Sequence, residues 1–153
     1  MTHRMQKIFI ILIFISTLFA REAYTYVYLL PFDNIQNDPA VEWIAAGLTD
    51  MVRQELKNKY GIQIKDKDDL EIIMNDRSLM LQQPRGSKNL LILGKYNRQL
   101  DQVYVTIQVV DVATWEELGS KQIVEVYTQI PSLNKAVGAV VDQMIAPFLP
   151  KQP

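Results

Sequence analysis

Histidine and cysteine carry much of the acid–base, nucleophilic and metal chemistry of proteins, and this sequence holds one histidine, His3, and no cysteine. His3 stands in the N-terminal segment, before the apolar run, that is expected to be removed. The rest of the chain therefore cannot build a serine–histidine or cysteine–histidine pair, nor a zinc site of the usual nitrogen and sulfur type. Carboxylates, lysines and tyrosines remain. The tightest acidic group is Asp66, Asp68, Asp69 and Glu71, oxygen donors of the kind a hard cation takes. It lacks the glycine and the distal glutamate of a calcium loop, and Arg77 stands where the latter would fall. These acids read instead as caps and charge partners for a helix N-terminus. Asp33, Asn34 and the first amides of the next helix form a second place where an anion could sit. Asp38 already competes for it and no glycine-rich loop precedes it, so it reads as a cap and turn. Lys57, Lys59, Lys65, Lys67, Arg85 and Lys88, interleaved with acids, form either a solvated rim or a site for an anionic polymer or acidic partner. Tyr24, Tyr26 and Tyr28 read as core, with hydroxyls that need partners. No residue is expected to be catalytic, and neither a cofactor nor a metal is expected.

The first twenty residues have the layout of a secretory signal peptide. Arg4 and Lys7 make a basic start, Ile8 to Ile15 an unbroken apolar run, and Ser16 to Ala20 a more polar end. Cleavage is expected after Ala20, although Leu18 is bulky for the third position before a cut; an uncleaved N-terminal anchor is the alternative. The apolar run falls short of the roughly 20 residues that span a bilayer. Cysteine is absent, so no lipid can be attached at the cleavage site and no disulfide framework can hold the fold. Residues 21–153 suit one domain with an ordinary core. Of the 16 basic residues two lie in the signal, so 14 face 17 acidic ones and the mature chain carries about −3. That balance opposes nucleic-acid binding.

The elements that must position these residues follow from periodicity. Tyr24 to Phe32 reads as an inner strand, apolar on both faces and closed by Pro31. Asp38 and Pro39 open a helix reaching about Tyr60, with Val41, Ile44, Ala45, Leu48, Val52 and Leu56 on one stripe and Gly61 as its stop. Gly47 inside this helix suggests close approach of a neighbouring element. Ile62 to Ile64 gives a short strand and Asp68 to Leu81 a second helix; Gln82 to Lys88 is a loop. Leu90 to Arg98, Gln102 to Asp111 and Glu116 to Val126 alternate as strands of an antiparallel meander. Ser132 is expected to cap a last helix that Pro147 ends. The sum is an α/β (α+β) fold with a mixed sheet of about five strands and about three helices packed on it.

Three segments taken together are familiar: Leu30-Pro31-Phe32-Asp33-Asn34 with Asp38-Pro39; Ala46-Gly47-Leu48-Thr49; and Val103 to Ala113 continuing into Thr114-Trp115-Glu116. They resemble the TolB N-terminal-domain superfamily, which includes FlgO-type flagellar proteins, the LpoB activator of penicillin-binding proteins and the core of the curli secretion protein CsgG. There a strand ending in a "PF-N" turn precedes a helix containing "GLT", and a later hairpin reads like "VRVTAQLIDAATGE". The resemblance covers about Tyr26 to Phe148 and implies a scaffold similar to the anticodon-binding domains of tRNA synthetases. Pro31, Phe32, Asn34, Gly47, Leu48 and Thr49 are its motif positions and candidate interaction residues. It also implies a non-enzymatic periplasmic adaptor or assembly factor, associated with the outer membrane through a partner. Alternatives are an LpoB-like regulator of cell-wall synthesis, a CsgG-like secretion component, or, in another class, a carboxylate-based enzyme or small-ligand binder. The expected partners are another envelope protein and a second copy of the chain, with membrane contact only peripheral or through an uncleaved anchor.

Overall fold

The computed structural model describes residues 22–152, so the segment read as an export signal lies outside the described residues. Val27 and Leu29 of strand β1 (Thr25–Leu29) point to one side and Tyr28 to the other, and all three are buried. A strand buried on both faces belongs inside a sheet. β1 indeed lies between β3 (Ile62–Lys65) and β4 (Lys88–Gln99), parallel to both. β4, β5 (Gln102–Asp111) and β6 (Glu117–Val126) form the expected antiparallel meander, giving the order β3-β1-β4-β5-β6. A two-residue strand, β2 (Asp33–Asn34), adds to the far half of β4. It is too short to leave a periodic signal in the sequence.

Helices α1 (Ile44–Lys57) and α3 (Ile130–Ile145) share one face of the sheet. Leu48, Val52 and Leu56 of α1 and Leu133, Val137 and Val141 of α3 meet Val27, Leu90, Ile92, Val105 and Ile107 in one core. Burying a side chain of this size contributes about 1.5–3 kcal/mol. Helix α2 (Lys67–Asn75) covers the other face near β1 and β4, where Leu70 and Ile73 pack on Tyr28, Leu91 and Val112. On β5 and β6 that second face carries Thr106, Gln108 and Gln122, none of them buried.

The structure departs from the sequence reading at several ends. Pro39–Val41 forms a 3-10 turn capped by Asp38, whose Oδ1 accepts from the Ala40 amide at 2.9 Å, and α1 proper starts only at Ile44. Helix α2 stops at Asn75 because Asp76 leaves helical geometry (φ −133°, ψ 88°) and its side chain caps a separate 3-10 segment, Arg77–Gln82. Ser132 is not the cap of α3: the helix starts at Ile130 with Pro131 in its first turn, where proline fits, and the Ser132 hydroxyl donates to Glu125 at 2.9 Å. Around Gly47 nothing lies within 4 Å of where a β-carbon would stand, so no neighbouring element approaches it. Gly61 does not stop the helix either: α1 ends at Lys57 with Asn58 as its C-cap, and Gly61, at φ +71°, turns the chain into β3.

Candidate functional site

In sheets with parallel strands, ligands usually bind beyond the carboxyl ends of those strands. Here that place is filled by the chain itself. After β1 the backbone turns at exposed Pro31 and buries Phe32, whose amide donates to Thr49 Oγ1 at 3.2 Å, while the Thr49 hydroxyl donates to the Ala45 carbonyl at 2.9 Å. Asn34 is buried too. Its Nδ2 donates to the Asp38 carbonyl (2.9 Å) and to Glu42 Oε2 (2.8 Å), and its Oδ1 accepts from the Asp38 amide. Asp38 Oδ2 then holds Arg98 Nε at 2.9 Å, and the Arg98 guanidinium lies 5.7 Å from the centre of the Tyr127 ring. The motif positions Phe32, Asn34, Leu48 and Thr49 thus converge on one junction between the β1–β2 turn and α1, whereas Pro31 is exposed in that turn and nothing packs at Gly47. Asp33 is exposed on the two-residue strand β2.

The acidic cluster resolves into a helix cap. Asp66 Oδ1 accepts from the Asp69 amide at 3.0 Å and Asp69 Oδ2 from the Asp66 amide at 3.3 Å, a reciprocal capping box; Glu71 meets Lys67 at 3.7 Å. The basic cluster is likewise divided. Lys59 Nζ lies 2.9 Å from Glu55 and 2.5 Å from Asp142, bonds that push its pKa up and tie α1 to α3.

Outside these places, the surface offers apolar contacts at the two ends of the sheet. Both tryptophans are exposed, at 54% for Trp43, whose Nε1 donates to the Ala40 carbonyl at 3.1 Å, and 46% for Trp115 in the β5–β6 turn. Trp115 is held at φ +62°, a left-handed conformation that favours glycine and costs a residue with a β-carbon of order 1 kcal/mol. The turn is firmly built: Asp111 Oδ1 accepts from the Ala113 amide at 2.7 Å, the Trp115 amide donates to the Asp111 carbonyl at 2.7 Å, and Arg77 Nη2 donates to the Val112 and Ala113 carbonyls. Met74 (50% exposed), Ile73, Arg77 and Val112 join Trp115 around a shallow cavity of about 60 Å³. The sequence did carry a signal for this site, a tryptophan where the hairpin pattern of the resemblance has glycine.

No family model matches the chain, and no curated protein does. Solved structures do resemble it. TolB from Acinetobacter baumannii superposes with a TM-score of 0.55 at 16% identity, over 86% of this chain and 30% of TolB. This is the fold that the PF-N and GLT segments implied. The chain spans less than a third of TolB, and at such identity the likeness is one of fold. The PelC dodecamer from Paraburkholderia phytofirmans is similar at TM-score 0.48 and 16% identity, covering 87% of this chain and 93% of PelC. The LpoB C-terminal domain from Escherichia coli follows at 0.44 and 15%, covering 73% and 92%.

Proposed function

We propose that the chain is a non-enzymatic protein-interaction domain of the bacterial cell envelope, an adaptor or assembly factor that docks on another envelope protein. The carrying observation is Trp115: a large apolar side chain, half exposed, held in a strained backbone conformation by a fully bonded turn. Strain of this kind clusters at functional sites, and tryptophans are frequent anchors of interfaces. Met74 and the stem of Arg77 extend the surface around it. The signal-like N-terminus and the PF-N, GLT and hairpin segments support placement in the envelope, and a chain with neither cysteine nor a histidine beyond His3 supports the non-enzymatic reading.

Photo-crosslinking in growing cells tests it. A photoreactive residue at Met74 is expected to capture one envelope protein, and Trp115→Gly is expected to abolish the adduct while raising stability by about 1 kcal/mol, because glycine relieves the strain. An adduct that survives Trp115→Gly, or no adduct in any growth condition, counts against this docking surface.

A further inference from the structure

Strand β6 ends the sheet with β5 as its one strand neighbour. The phase of its hydrogen bonds is fixed at the open end of the hairpin, where the Tyr127 amide donates to the Asp101 carbonyl at 3.1 Å. In an antiparallel ladder every second residue shares that orientation, so Glu125, Ile123 and Lys121 turn their amides and carbonyls to β5. Ser120, Gln122 and Val124 turn theirs to the open side. Val126 does the same, and its carbonyl accepts from the Gln129 amide at 2.9 Å. The side chains have their own alternation: Ile123 is buried under the helices with Lys121 and Glu125 flanking it on that face, and Val124, 41% exposed, lies on the other.

We propose that a second copy of the chain pairs with this edge, antiparallel, about a two-fold axis through Ile123. Identical antiparallel strands form a self-complementary contact, so each register is defined by the residue on the axis. An axis through Ile123 sets Lys121 opposite Glu125 of the other copy, twice, and sets Gln122 opposite Val124, whose outward amides and carbonyls then bond each other. An axis through Lys121 would face lysine with lysine and Glu117 with Glu125. An axis through Gly119 also pairs unlike charges, Glu117 with Lys121, but confines the overlap to Glu117 through Lys121, whereas the Ile123 register runs from Ser120 through Val126. Among the described residues Lys121 has no ion-pair partner, and Glu125 holds only the Ser132 hydroxyl, on Oε2. An edge lysine is also a common device for keeping a strand unpaired, and the same substitutions separate the two roles.

Sedimentation equilibrium of the full chain in density-matched non-ionic detergent is the test. A micromolar dimer is expected. Lys121→Glu and Glu125→Lys should each weaken it about tenfold to thirtyfold, since two opposite-charge cross-strand pairs become like-charge pairs. The double exchange should recover most of the affinity, and mixing the two single variants should give a heterodimer. Gln122→Pro, which removes an outward amide and leaves the β5 ladder intact, should abolish the dimer without unfolding the chain. A monomer throughout the micromolar range overturns the proposal, as does a dimer indifferent to both single reversals or to Gln122→Pro, or a double exchange that fails to recover.

Discussion

Tyr28 shows how one residue couples sequence pattern, packing and pH. Its ring closes the smaller core under α2, and its hydroxyl donates to Asn89 Oδ1 at 3.2 Å. Asn89 is in turn bonded twice to Gln83, at 3.1 and 2.7 Å, so a polar group is fully partnered inside an apolar layer. Burial, with the charge of Asp69 behind it, pushes the Tyr28 phenol up to about 12. The folded value lies above the ordinary one near 10, so the stabilisation by the neutral phenol is complete below pH 10 and is lost as pH rises through about 12. Lys59, raised by its bonds to Asp142 and Glu55, acts in the same direction. Tyr28→Phe is expected to cost about 1 kcal/mol at neutral pH, because Asn89 keeps Gln83 as a partner. Urea unfolding across the alkaline range should then show the advantage of tyrosine over phenylalanine shrinking between pH 10 and 12; a constant difference would reject the assignment.

At the scale of elements, the fold turns on how β4 receives two short strands in succession. Its first half pairs with β1 and its second with β2, and the Pro31–Phe32 step between them carries the Phe32 ring over Gly94. A β-carbon at Gly94 would overlap that ring. Gly94→Ala is therefore expected to destabilise by about 1–3 kcal/mol, and combining it with Phe32→Leu should cost less than the sum of the two single changes in urea denaturation. The sequence shows both residues and not their meeting, since a glycine inside an alternating strand marks close approach without naming what approaches. Where alternation is strict, as in β5, the strand runs from Gln102 to Asp111 as its pattern predicts. Where two signals compete, the ends shift: Asp38 and Pro39 open a 3-10 turn before they open a helix, and Pro131 starts α3 ahead of the better-known cap residue Ser132.

For the molecule as a whole, strand order places both proposed surfaces and is the least legible feature. That β6 lies at an edge, and that Trp115 and Met74 meet, depend on pairings between distant segments that no local pattern encodes. The same order determines how the chain should unfold. The larger core joins α1 and α3 to β1, β4, β5 and β6; the smaller joins α2 to β1 and β4; the two share those central strands, with Val27 and Leu90 on one side and Tyr28 and Leu91 on the other. Loss of either core exposes strands that the other needs, so residues 21–153 are proposed to form one cooperative unit. The two tryptophans supply a direct check, because Trp43 stands near the Asp38–Arg98 end of the sheet and Trp115 at the opposite end, in the β5–β6 turn. Trp43→Phe and Trp115→Phe leave one reporter each. After correction for the small effect of each substitution, fluorescence of both variants and far-ultraviolet circular dichroism are expected to follow one urea transition with a common midpoint and slope. An earlier transition at Trp115 would mean that the α2 layer opens alone, and the strained turn would then sit on a segment that a docking partner must first hold in place.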